Sequence, residues 1–139
     1  MPAKYEKIEV TKEMLDSNPN MYFVFGDNLT RTGTGGAAKL RHHPRAIGFI
    51  TKKEPTHNQT ACFTPEEYAS IFFQQLEQLR EHIKKTPTHT FYISKIGSGL
   101  ANKYWIWEKL IHHNLRNELN EFDNVVFCWS LDDENLPTK

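Results

Sequence analysis

The sequence predicts an α/β fold built on a largely parallel sheet. Three observations lead there: short apolar runs that end in glycine or turn residues, long amphipathic segments between them, and the alternation of the two along the chain. An apolar run without internal polar alternation is the pattern of a strand buried on both faces. Strands separated by helices pair in parallel through right-handed crossovers.

Tyr22-Phe23-Val24-Phe25 is such a run, closed by Gly26-Asp27-Asn28. Ala46 to Thr51, Phe91-Tyr92-Ile93 and Val125 to Trp129 are the other predicted strands. Thr64-Pro65-Glu66-Glu67 reads as a capping box with proline at the first helical position. Behind it Tyr68, Ile71, Phe72, Leu76, Leu79 and Ile83 recur at helical spacing, and Lys84-Lys85 before Thr86-Pro87 closes the helix. A second helix is expected from Tyr104 to Leu119, with Trp107, Leu110, Ile111 and Leu115 facing inward. Thr11 to Ser17 is a short helix near the start.

The 139 residues make one domain, 1–139, long enough to bury a core without metal or disulfide staples. Seventeen Lys and Arg balance seventeen Asp and Glu, which argues against gripping nucleic acid by bulk charge and leaves room for a local basic patch. No apolar run reaches membrane-spanning length, and Met1 to Val10 lacks a signal-peptide core. Cys62 and Cys128 form neither a disulfide framework nor a zinc site. The expectation is a cytoplasmic protein with no membrane partner, metal or cofactor, and the sequence leaves its oligomeric state open.

Ligands of parallel α/β sheets bind at the carboxyl ends of the strands, so the loops there carry the functional signal. The first runs Gly26-Asp27-Asn28-Leu29-Thr30-Arg31-Thr32-Gly33-Thr34-Gly35-Gly36-Ala37-Ala38-Lys39. Its glycines and alanines leave backbone amides bare for an anion. It is not a Walker A loop, since Leu40 stands where a magnesium-binding hydroxyl would. Gly33-x-Gly35-x-x-Ala38 fits a dinucleotide fingerprint only in part, because that fingerprint turns directly out of its strand. A flexible surface loop is the alternative. The second loop, Ser94-Lys95-Ile96-Gly97-Ser98-Gly99-Leu100-Ala101-Asn102, lies between a strand and a helix, where free amides and a helix dipole converge. Two such loops on one sheet edge suit a diphosphate. Lys52, in Ile50-Thr51-Lys52-Lys53, ends the second strand at that same edge.

Gly33-Thr34-Gly35-Gly36-Ala37-Ala38 resembles the first ligand loop of macrodomains, the ADP-ribose-binding α/β/α modules. Ile96-Gly97-Ser98-Gly99-Leu100, with Trp105 soon after, resembles their second, diphosphate-wrapping loop. Ile50-Thr51-Lys52-Lys53 followed by His57 is similar to the branch that removes terminal ADP-ribose from proteins, and to relatives acting on ADP-ribosylated DNA. The likeness runs from Val10 to Leu131 and extends to small macrodomain-like proteins of phages and bacteria.

The resemblance implies a three-layer α/β/α sandwich with a mixed, largely parallel sheet. It also implies ADP-ribose or an ADP-ribosylated macromolecule as partner. The loop from Gly33 to Ala38 would line the distal ribose and first phosphate, with Asn28 beside it. Ile96, Gly97, Ser98, Gly99, Leu100 and Ala101 would wrap the diphosphate. Lys52 matches the lysine that attacks the anomeric carbon and forms a covalent adduct in an ADP-ribosyl glycohydrolase. Such a nucleophile must lose its proton, and Lys53 is a candidate neighbour for depressing its pKa. Two departures stand out. Ala101 replaces the acidic residue of those enzymes, leaving Asp27 as the candidate acid. The Gly-Asp pair that contacts adenine has no match around Val10 to Met14.

Three functions follow: hydrolysis of an ADP-ribosyl linkage, recognition of ADP-ribose without turnover, and binding of another nucleotide or of nucleic-acid phosphates. The last draws on the basic stretch Lys39, Arg41, Arg45, Lys52 and Lys53. His42-His43 and His112-His113 read as structural rather than as chelates, and His57 as a loop histidine or a general acid–base. Of Trp105 and Trp107 one is expected in the core and the other partly exposed. Phe49, Cys62 and Cys128 are read as structural.

Overall fold

The computed structural model describes residues 2–56 and 58–130. His57 and Leu131 lie outside the described residues. The chain forms an α/β fold around a five-stranded sheet of β1 (Lys4–Tyr5), β2 (Met21–Asn28), β3 (Ala46–Lys52), β4 (Thr90–Ile93) and β5 (Val125–Phe127). Strand order is β1-β5-β4-β2-β3 and every pairing is parallel. The expected mix of orientations reduces to one isolated antiparallel bridge, Lys52 to Cys62.

Helix α1 (Lys12–Ser17) starts at Thr11, whose hydroxyl accepts the Met14 amide. Helix α2 (Pro65–Lys85) has the reciprocal capping box of Thr64 and Glu67. The predicted third helix is shorter than expected. A 3₁₀ turn covers Asn102–Tyr104, Trp105 takes a left-handed conformation (φ +67°), and a π-helical turn, Trp107–Ile111, leads into α3 (His112–Leu119). The physical reason is local. The Asn102 side chain accepts the Trp107 amide at 2.9 Å, so the helix is capped from behind Trp105 rather than started at Tyr104. Trp107, Ile111, Leu115 and Leu119 follow at four-residue spacing and are all buried.

The core divides where β2 alternates. Val24 packs with Phe49, Tyr68, Phe72, Phe91, Phe127 and the inner stripes of α2 and α3. Phe23 and Phe25 pack with Val10, Leu15 and Met21. Successive strand residues point to opposite faces, so both faces of β2 are covered. Phe49 is a core residue, as expected. At Ile50 the outer edge of β3 is covered by α2: Gln75 accepts the Ile50 amide at 3.0 Å and the Tyr68 hydroxyl donates to the Ile50 carbonyl. An exposed edge of unpaired amides and carbonyls would template aggregation.

Strand β2 is longer than its apolar run. Gly26, Asp27 and Asn28 pair with β3, opposite Phe49, Ile50 and Lys52, and therefore belong to the strand rather than to the loop. Thr51 is the extra residue of a bulge between Asp27 and Asn28.

A cleft at the switch point of the sheet

From β2 the chain leaves toward β3 on one side, while β4 leads toward β5 on the other. Such a reversal opens a crevice at the carboxyl ends of the central strands. Here it is a cleft of about 550 Å³, within the usual range for small-molecule sites.

The cleft gathers residues from three strand ends and both glycine loops. Of the sequence-predicted residues, Asp27, Asn28, Gly33, Gly35, Gly36, Lys52, Ile96, Gly97, Ser98, Gly99, Leu100 and Ala101 line it. Thr34 is exposed and outside the lining, and the Ala37 side chain lies outside the described residues. Lys95, Thr51, Ser94 and Thr32 line it as well and were not anticipated. Lys95 was legible as a cation inside a loop already singled out. Nothing in the spacing distinguishes it from a solvated surface lysine, and only the fold brings it to the cleft.

The bulge explains one feature of the lining. Thr51 and Lys52 are adjacent, yet both face the cleft, whereas a regular strand would send them to opposite sides. The buried Thr51 hydroxyl donates to the Asp27 carbonyl at 3.3 Å, and the Lys52 ammonium donates to the Thr56 carbonyl at 2.9 Å. Lys53 does not serve Lys52. It pairs with Glu67 at 3.1 Å and lies over the Phe63 ring, facing α2.

Asp27 is not poised as a free acid. Its carboxylate accepts Arg41 Nη2 at 2.6 Å, Arg31 Nη1 at 3.1 Å and the Asn28 amide at 2.8 Å. Gly48, across on β3, makes room for it: a Cβ there would overlap the carboxylate. Arg41 also holds the carbonyls of Gly33 and Thr32 at 2.7 and 2.9 Å, while Asn28 Nδ2 holds Thr32 at 2.9 Å. The first loop is thus tied down by its carbonyls. Left-handed φ values at Gly33 (+90°) and Gly36 (+54°) supply its turns.

The second loop is fixed from beneath. Ser98 donates through its hydroxyl and amide to the Lys95 carbonyl at 2.6 and 3.3 Å, and the Cys62 thiol donates to the Leu100 carbonyl at 3.4 Å. Gly97 is at φ +77°, with the Ile111 side chain packed against its Cα. The amides of Gly97, Gly99, Leu100 and Ala101 have no acceptor among the described residues. Successive bare amides make an anion-binding concavity. Lys95 Nζ, 5.5 Å from the Trp107 ring, adds a positive charge at the same rim.

Apart from Lys52, which lines the cleft, the expected basic stretch is engaged within the fold. Arg41 serves Asp27 and the first loop, and Arg45 donates to the carbonyls of Leu15, Asn18 and Met21. Lys39 faces Glu9 at 3.5 Å, and Lys53 faces Glu67. Among the histidines, His43 Nε2 lies 3.0 Å from Asp16. Burial pushes the Cys128 thiol up to about 12, far from a reactive thiolate, in keeping with a structural cysteine.

A family model matches residues 5–103, a span that includes both glycine loops and all but β5 of the sheet's strands except the first residue of β1. The chain belongs to that family, DUF7831, a family of unknown function. No curated protein and no solved structure matches this DUF7831 chain. Among its described residues no helix is long and apolar enough to cross a membrane.

Proposed function

We propose that the cleft binds ADP-ribose, or an ADP-ribosyl group on a macromolecule, as a reader rather than as a hydrolase. The observation that carries this reading is the placement of two glycine loops across one cleft, with Lys52 and Lys95 lining the same space. A diphosphate needs donors on two sides and cations to balance its charge. Bare amides supply the donors at little cost in reorganisation, since both loops are already anchored. The likeness of Gly33–Ala38 and Ile96–Leu100 to macrodomain loops selects ADP-ribose within the wider class of nucleotide diphosphates.

Two side chains favour recognition over turnover. Where the related hydrolases carry an acid, Ala101 presents a buried methyl group. Asp27, the alternative acid, is occupied by two guanidinium groups and an amide. Hydrolysis with Lys52 as nucleophile is the second reading, and the entry of Lys52 into the cleft favours it.

Calorimetric titration with ADP-ribose, with AMP, NAD and ribose phosphate as controls, tests the proposal. Micromolar binding, about 8 kcal/mol, with much weaker AMP binding is the expected result. No heat and no thermal shift with any of them would remove the ligand assignment. Release of free ADP-ribose from a modified substrate, abolished by Lys52→Ala, would replace the reader with the hydrolase.

A further inference from the structure

Lys39, Arg41 and Arg45 are engaged by partners within the fold, but the cations of a second basic segment are not. Residues 95–109 contain Lys95, Lys103 and Lys109 against a single acid, Glu108. The Glu108 carboxylate accepts from Asn102 Nδ2 at 2.9 Å and so braces the 3₁₀ turn. Lys103 and Lys109 are exposed, and neither forms an ion pair among the described residues.

Trp105 stands between them, 48% exposed and in the left-handed conformation that bulky side chains rarely adopt. Its neighbours Ile106 and Trp107 are buried, so the turn at Trp105 separates an outward indole from the core. The segment is compact. The Lys109 amide donates to the Trp105 carbonyl at 2.9 Å, one turn along. Lys95 lies over the ring of Trp107, and two residues of backbone span at most about 7 Å. Leu100, 64% exposed on the adjacent cleft loop, extends the apolar rim.

We propose that this rim binds single-stranded nucleic acid, with a base stacked on Trp105 and backbone phosphates on Lys95, Lys103 and Lys109. An exposed indole interleaved with unpaired lysines matches the alternation of flat base and charged phosphate. The carboxylates of an acidic peptide would answer the lysines but do not stack on the indole, whereas every nucleotide carries both a charge and a flat base. The rim meets the cleft at Lys95 and Leu100, whereas Lys103, Trp105 and Lys109 lie outside its lining, so variants at those three test the inference apart from the ADP-ribose reading.

The test is fluorescence anisotropy with a labelled oligothymidine and an oligouridine, using the full chain at about 50 mM salt. Trp105→Asn keeps a residue that tolerates the left-handed backbone, so its melting temperature should equal or exceed that of the wild type. Its oligonucleotide affinity should fall about tenfold or more, with ADP-ribose heats unchanged. The double variant Lys103→Glu, Lys109→Glu should flatten the slope of log K against log salt by about 1.4. Absence of binding to both oligonucleotides, or a Trp105→Asn affinity within twofold of wild type, would overturn the proposal. So would an acidic peptide that displaces the oligonucleotide at equal concentration, which would give the rim to a protein partner.

Discussion

Arg41 donates from Nη2 to Asp27 Oδ1 at 2.6 Å and from Nε to the Gly33 carbonyl at 2.7 Å. One side chain therefore joins the end of a central strand to the first glycine loop. Water is largely excluded, with the Asp27 side chain 2% and the Arg41 side chain 11% exposed. Arg41→Ala would leave a buried carboxylate short of its main partner, at a cost of about 3–5 kcal/mol. Arg31 is half exposed, and Arg31→Ala should cost under about 1 kcal/mol. Urea unfolding of the two variants measures the difference; equal losses would show that neither guanidinium dominates.

Three glycines are expected to divide by what an added side chain would meet. Gly48→Ala pushes a methyl group into the Asp27 carboxylate, and Gly97→Ala combines a positive φ with the Ile111 side chain. Each should lose roughly 1–3 kcal/mol of stability. Gly99 has open space around its Cα, so Gly99→Val should stay within about 0.5 kcal/mol of wild type. That same branched side chain stands in the cleft loop and should abolish ADP-ribose binding. Melting curves paired with calorimetry separate the two effects. A destabilised Gly99→Val would make this glycine structural too.

The cleft lysines should contribute through charge. Lys52→Ala and Lys95→Ala are each expected to weaken ADP-ribose by roughly 1.5 kcal/mol, a little over tenfold. Lys53→Ala, whose ammonium faces Glu67, should leave affinity unchanged. Titrations at two salt concentrations would show the first two variants with a reduced salt dependence.

His82 supplies a pH-dependent term remote from the cleft. It packs edge-on against Tyr22 and Phe91, and burial, with His89 adding repulsion, holds its pKa below the ordinary 6.5. The unfolded chain therefore takes up the proton first as pH falls, and stability declines from about pH 6.5 downward. Above that value His82 is neutral in both states and contributes no slope. His82→Gln should flatten the decline below pH 6.5 and leave the curve above it unchanged, as read by thermal unfolding across pH 5–8.

Much of this was legible in the chain. The apolar run at Tyr22–Phe25 and the capping box at Thr64 are local signals, and the structure has a strand and a helix there. The parallel arrangement followed from alternation, and with it the prediction that both glycine loops share one sheet edge. Other features were hidden because their causes are not local. Asp27 reads as a loop residue until Arg41, fourteen positions on, and Gly48 on the next strand allow it to be buried inside β2. Trp105 reads as the first turn of a helix until Asn102 caps the chain beyond it.

By itself the sequence determined the α/β class, the main strands and helices, and the presence of two glycine loops at one sheet edge. Those follow from periodicity and backbone freedom, which act over a few residues. Only the tertiary structure decided which charges are spent and which are available. Arg41 and Arg45 were turned inward to satisfy a buried carboxylate and strand-end carbonyls, while Lys95, Lys103 and Lys109 were left facing outward. A charge buried without partners is too costly to keep, so the fold assigns each inward cation to acceptors brought together by distant segments. No spacing within the chain reveals that assignment.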